Sequence, residues 1–154
     1  YWLVCPDVSD FTAKRWDGWQ EVVDSLPHLR FLQVGLGGAP LQGVTDATGQ
    51  TSLRELFDLT RGCKGVLCGV SLLMHIAAAV EKPAVVIAGG REPVQWNAYP
   101  KQHYVHSVGD LPCAKPCWKR TIEECEHPIG TIPKCMPSPR LAVETIKSRS
   151  IESS

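Results

Sequence analysis

The sequence predicts an α/β domain on an open, mostly parallel, doubly wound sheet, with a small four-cysteine finger near its C-terminus. Three observations lead there. Short apolar runs alternate with amphipathic segments from Trp2 to about Ser107, the order expected of successive βα units. The run Ala84–Ala88 is apolar without a break, as a strand covered on both faces should be. Four of the seven cysteines, Cys113, Cys117, Cys125 and Cys135, fall within 23 residues, while Cys5, Cys63 and Cys68 are dispersed in or beside apolar segments.

Taken in order, Trp2–Cys5 is a strand and Trp19–Leu26 a helix stopped by Pro27. Arg30–Val34 is a second strand, left through Gly35, Gly37 and Gly38. Thr51–Arg61 is a helix, because Ser52-Leu53-Arg54-Glu55 is a capping box and Gly62 closes it. Gly65–Cys68 is a third strand and Leu72–Val80 a helix apolar on nearly every face, hence buried. Ala84–Ala88 is a fourth strand and Tyr104–Ser107 a fifth. Ser138-Pro139 pairs an N-cap with proline at the first helical position, starting a helix to about Lys147 with a frayed tail. The chain therefore divides into a sheet domain over 1–110, a cysteine finger over 111–137 and a terminal helix and tail over 138–154.

Composition narrows the function. A chain of 154 residues buries roughly two-thirds of its unfolded surface and needs no metal to fold. Sixteen basic residues balance sixteen acidic ones, which argues against an electrostatic nucleic-acid or membrane-surface binder. No apolar run approaches the roughly 20 residues of a transmembrane helix. An odd cysteine count without a secretion signal points to a reduced, cytoplasmic setting, with peripheral contact at the inner membrane left open. The opening Tyr1 lies in a strand and is not a methionine, so a longer protein is expected upstream.

Ligands of such sheets bind outside the C-terminal ends of the strands, near helix N-termini. That rule selects Asp7–Lys14, the 36–43 loop, Thr51, Val70–His75 and Gly89–Glu92. Ser71 and His75 open a helix whose first-turn N–H groups suit an anion; an ordinary capped turn with a core histidine accounts for them equally well. Gly89 and Gly90 permit close backbone approach and Arg91 suits phosphate, against the alternative of a surface Arg91–Glu92 pair. Ser9, Asp10 and Lys14 supply a hydroxyl, an acid and a cation in a loop that is otherwise simply solvated. Gly35-Leu36-Gly37-Gly38 misses the dinucleotide-binding spacing.

Together, TAKRW, TSLREL and LLMHIAAAVEKPAVVIAGGREP, in this order over about Tyr1–Tyr104, resemble the C-terminal domain of glycosyltransferase family 9, the ADP-heptose-using heptosyltransferases. The resemblance implies one Rossmann-like half of a GT-B fold, the half that holds a nucleotide-sugar donor. Its partner would be the protein's own N-terminal GT-B domain, which supplies the acceptor site and the catalytic base. No catalytic base is identifiable in this chain, so alone it should bind donor weakly and catalyse nothing. Carried over position by position, Lys14 meets donor phosphate or sugar, with Ser9 and Asp10 beside it. Thr51 lies near the nucleotide, and Ser71, Leu72, Met74 and His75 belong to the diphosphate loop, with Gly89, Arg91 and Glu92 completing the mouth. Where many family members carry Asp-Thr-Gly, this chain has Val70-Ser71-Leu72, and LGGAPLQG offers no match to the family's acid after the second strand.

For the finger, four soft ligands favour a tetrahedral Zn or Fe ion; two disulfides or free thiols are the alternatives that spacing leaves. The pattern Cys113-x3-Cys117-Trp118…Cys125…Cys135 also resembles the finger of autotransporter-type heptosyltransferases, where the metal is iron. That resemblance implies a structural ion, since four protein ligands leave no open position. His127 could replace one cysteine, although a surface residue is the simpler reading. The expected function is thus the donor-binding half of an inverting transferase acting on lipopolysaccharide core or protein, with homo-oligomers open to it. A catalytically silent metal-finger assembly module is the second expectation. A sugar-nucleotide epimerase is disfavoured, because its acid/base constellation is not seen.

Overall fold

Period-two alternation of apolar side chains, buried on both sides, dictates the centre of the fold. The computed structural model describes residues 1–96 and 98–152. In β1 (Trp2–Cys5) Trp2 and Val4 point to one face and Leu3 and Cys5 to the other, and every residue is buried. β4 (Gly65–Gly69) is buried throughout as well, and β5 (Ala84–Gly89) is buried except at the half-buried Ala88. With β2 (Phe31–Gln33), β3 (Thr45–Asp46) and β6 (Gln102–His106) they form a six-stranded sheet in the order β3-β2-β1-β4-β5-β6. Every pairing in it is parallel. The chain winds outward from β1 through β2 to β3, then crosses back to β4 on the other side of β1. The switch point, where such sheets bind ligands, therefore lies between β1 and β4.

Helices cover both faces. α1 (Trp19–Asp24) and α4 (Pro139–Glu152) pack on the face of Trp2, Val4, Leu67 and Val85. α2 (Leu53–Gly62) and α3 (Leu72–Ala79) cover the face of Leu3, Val66, Val86 and all three dispersed thiols. Cys63 and Cys68 are 1% and 0% exposed, so these cysteines act as small hydrophobes, as expected. The capping box of α2 forms in full: Glu55 N–H donates to Ser52 Oγ at 3.3 Å and Ser52 N–H to Glu55 Oε2 at 2.7 Å.

Four elements depart from the sequence expectation, α4 among them, which runs on to Glu152 where the helix was expected to end near Lys147. β3 has only two residues, both exposed and polar, so no apolar period announces it; backbone pairing Leu32↔Thr45 and Gln33↔Asp46 makes it a strand. β6 begins at Gln102, two residues early, because pairing with Ala84 and Val85 extends a polar edge that side-chain pattern does not mark. α3 is not buried all round: Leu72 is 57% exposed and His75 is exposed, since its first turn projects past the sheet edge. The tail at 153–154 lies outside the described residues.

Candidate functional site

A cavity of about 500 Å³ opens at the β1/β4 switch point. Asp7, Ser9, Phe11 and Lys14 line it from the loop after β1, and Gly35 and Leu36 from the loop after β2. Thr51, Ser52 and Leu53 contribute the start of α2, and Val70, Ser71, Leu72 and Leu73 the start of α3. A 3-10 turn over Thr12–Lys14 aims Lys14 into this space. Its Nζ donates to Val70 O at 3.1 Å and pairs with Glu92 Oε1 at 3.1 Å, and it lies 4.8 Å from the Phe11 ring centroid. Ser71 occupies the N-cap position of α3 but makes no capping bond; its hydroxyl donates back to Gly69 O at 3.3 Å. The first-turn N–H groups of α3 thus lack a side-chain cap where they border the cavity. A cation, an uncapped helix start and apolar walls from Val8, Val34 and Leu56 suit a phosphorylated ligand that also carries a flat apolar part.

The structure brings Ser9, Lys14, Thr51, Ser71 and Leu72 together around this cavity. It takes the remaining candidates elsewhere. Met74 is fully buried beneath α3, its sulfur accepting from the Tyr104 hydroxyl at 3.3 Å. His75 faces outward, its Nδ1 2.9 Å from the Tyr99 hydroxyl and its ring edge-on to Tyr99. Asp10 pairs at the surface with Arg120 at 3.2 Å. Arg91 does not line the cavity: it is held by Glu92, donates to Lys119 O and stacks between Phe11 and Trp118 at 5.0 and 6.0 Å. Glu92 stands between the two groups, bridging Arg91 and Lys14. The double glycine lies against the finger. A Cβ on Gly89, whose φ is +60°, would lie 2.7 Å from Met136 Sδ, and one on Gly90 would lie 2.5 Å from Ala114 Cβ.

Asp7 opens the selected Asp7–Lys14 segment but was given no role of its own in the sequence reading. Its Oδ2 accepts from Leu36 N–H at 2.6 Å and Gly37 N–H at 3.4 Å, ordering the glycine loop after β2 against the cavity. Gly35, with φ +137°, lets this happen, because a Cβ there would sit 2.2 Å from the carboxylate. An acid just past the first strand was visible in the sequence; its partner 29 residues on was not. Leu36, 93% exposed on the rim, lies in the selected 36–43 loop without having been named, and Leu53, 58% exposed, was missed.

The finger packs under the same edge. A short antiparallel hairpin, β7 (Pro128–Ile129) and β8 (Ile132–Pro133), turns at Gly130, and the segment is tied to the loop after β1. Ala13 N–H donates to Arg120 O at 3.1 Å, and Ile122 N–H to Thr12 Oγ1 at 3.0 Å. All seven cysteines are free, so the two-disulfide alternative is not what the structure holds. Cys113, Cys117, Cys125 and Cys135 all line one small, partly open space of about 20 Å³, which has room for a single ion and is too small for a substrate. Burial pushes the Cys135 thiol up, and the Gly90 N–H bonds its sulfur. Cys113 has further neighbours: its Sγ and ligand atoms of Glu126 and His127 all lie within 4.8 Å of one another.

Comparison with known proteins places these features. The model of Glycosyltransferase family 9 (heptosyltransferase) matches residues 1–127. Lipooligosaccharide heptosyltransferase 2 of Haemophilus influenzae is 44% identical over 45 residues, 29% of this chain and 13% of that protein. The structure of Escherichia coli ADP-heptose LPS heptosyltransferase II superposes with a TM-score of 0.72 at 18% identity, covering 98% of this chain and 46% of that one. The dodecameric iron-containing heptosyltransferase TibC in complex with ADP-D-β-D-heptose superposes with a TM-score of 0.71 at 20% identity, covering 100% and 46%. The chain thus spans less than half the length of these solved structures, whose likeness is one of fold.

Proposed function

The chain belongs to glycosyltransferase family 9, and on that premise we propose that it is the donor-binding half of an inverting transferase using an ADP-sugar, ADP-heptose-like, as donor. The acceptor is a lipopolysaccharide core sugar or a protein. The observation that carries this reading is the 500 Å³ cavity at the β1/β4 switch point, with Lys14 and the uncapped start of α3 on its wall. Lys14 and the α3 N–H groups hold the diphosphate and offset the charge it gains as it departs. The apolar rim of Leu36 and Leu53 takes the base, and Ser9, Thr51 and Ser71 offer hydroxyls to the sugar and ribose. An N-terminal GT-B domain supplies the base that takes the acceptor proton, so this half alone binds donor weakly and turns nothing over. Of the other sequence candidates, Glu92 acts by setting the charge around Lys14, while Asp10, Met74, His75, Gly89 and Arg91 shape the supporting layer.

The four thiols would hold one structural Zn or Fe ion: they are soft donors, they line one small space, and an N–H bond reaches the Cys135 sulfur. The ligand atoms that the described residues already bring within 4.8 Å of one another are those of Cys113, Glu126 and His127, so the other three thiols would close in on the ion as it binds. The ion would crosslink a segment with little apolar surface of its own, and no substrate chemistry passes through it. TibC is described as iron-containing and dodecameric; iron in the finger and a homo-oligomer are the corresponding proposals here. No described helix is long and apolar enough to cross a membrane, and a cytoplasmic enzyme touching the inner membrane peripherally fits the reading.

Calorimetric titration with ADP-heptose, UDP-glucose and GDP-mannose tests the donor assignment. Saturable binding of the ADP-sugar alone supports it. The second reading, a catalytically silent assembly module, is favoured by one observation. Val70 stands where the family resemblance calls for a carboxylate, and Asp7, the acid lining the cavity, is spent on backbone N–H groups. Failure of every nucleotide sugar to bind would select that reading.

A further inference from the structure

Cys113 belongs to two groups at once. It lines the small four-thiol space, and its Sγ also lies within 4.8 Å of ligand atoms from Glu126 and His127, both exposed. Glu126 reaches both environments, since it too lines the thiol space. Thiolate, imidazole and carboxylate within that separation are the donors a borderline divalent cation accepts. An ion arriving from solvent meets His127 and Glu126 before it can meet Cys117 or Cys135. The two residues precede β7, and Lys134 N–H donates to His127 O at 2.9 Å across the hairpin, which fixes this backbone beside the fourth cysteine.

We propose that Cys113, Glu126 and His127 form an outer, exchangeable site for a divalent cation, the port through which the four-cysteine finger is loaded. Cys113 is the pivot that keeps its hold while Cys117, Cys125 and Cys135 replace His127 and Glu126 one by one. Each thiol that joins releases its proton to water, so the exchange balances without an oxidant or a reductant. The proposal rests on the finger holding its ion through the four cysteines.

Cobalt(II) added to the metal-stripped protein reports both sites, because thiolate-to-cobalt absorption grows with the number of sulfur ligands. In the parent protein, rapid mixing should show a weak one-thiolate spectrum first and the four-thiolate spectrum later. The exposed double substitution Glu126→Gln/His127→Ala should reach the same final spectrum, with loading slowed roughly tenfold, the lower end of what residues around a metal contribute. Equal loading rates in parent and variant overturn the port and leave the four-cysteine finger standing. A final parent spectrum with a single thiolate instead overturns the finger, and the port with it. Circular dichroism of the variant before cobalt is added confirms that both proteins start equally folded.

Discussion

Lys14 sits at 17% side-chain exposure between the Val70 carbonyl and the Glu92 carboxylate, so its charge is already oriented before any ligand arrives. A phosphate entering the cavity takes up a positioned donor, for which the Val70 carbonyl and the Glu92 carboxylate compete. Replacing Lys14 with Ala should weaken ADP-sugar binding by ~1.5–3 kcal/mol, the range for a hydrogen bond to a charged group. Unchanged affinity by calorimetry would remove Lys14 from the site. Cys5, on the floor of the same cavity, makes a separate prediction. Burial, the main cause, pushes its thiol up from 9.0 to about 11. The folded state keeps the proton while the unfolded chain releases it, so this contribution is whole below pH 9 and is lost as pH rises toward about 11. The slope is about 1.4 kcal/mol per pH unit for one such group. Urea midpoints at pH 9 and 10.5 should fall more steeply in the parent than in a Cys5→Ala variant.

At the scale of elements, the contact between β5 and the finger decides how the molecule is held together. Gly89 ends β5 and Gly90 follows it, where Ala114, Cys135 and Met136 press closest. The Ser107 hydroxyl, just past β6, bonds the Cys135 carbonyl from the neighbouring strand. A methyl group on Gly90 has no room, and its partners are a β-carbon and backbone, not the flexible end of a side chain. Gly90→Ala should therefore cost about 1–3 kcal/mol by overpacking. Its signature is a lower urea midpoint together with faster release of metal from the finger. A variant that loses neither would show that the finger yields at no cost. The C-terminal return is anchored separately: Trp16 Nε1 donates to Pro137 O at 2.7 Å over Gly18, whose hydrogen faces the ring and Pro139.

For the whole molecule, two apolar clusters on opposite faces of the sheet draw almost all their members from outside the finger. Stripping the metal should leave the sheet folded, with far-ultraviolet circular dichroism little changed and slow amide exchange retained in β1, β4 and β5. Exchange should rise over 113–135, where ordering depends on the ion. Donor affinity should fall as well, because Thr12, Ala13 and Asp10, on the loop that presents Lys14, are bonded to Ile122 and Arg120 of the finger. Loss of the sheet along with the metal would contradict this division, and unchanged donor affinity would uncouple the finger from the site.

The sequence by itself determined most of the elements of the sheet domain and the thiol cluster. Period-two apolar runs specify strands, Ser52 and Glu55 specify a helix start, and four cysteines on short connections cannot spread far, because each signal acts within a few residues. Ser9, Lys14, Thr51, Ser71 and Leu72 were legible as cavity residues for a related reason: any parallel sheet puts its βα turns on one edge. Which turns share a cavity was decided only when β4 settled beside β1, a pairing of Trp2 with Gly65 that no local pattern encodes. The same holds for Arg91, drawn to Glu92, Phe11 and the Lys119 carbonyl, and for Asp7, which found its N–H partners on the far side of α1 and β2. A lone charged side chain can bond whatever the fold brings within about 3 Å. Its neighbours are set by strand order and crossover, and these exist only once the two cores have closed on the sheet.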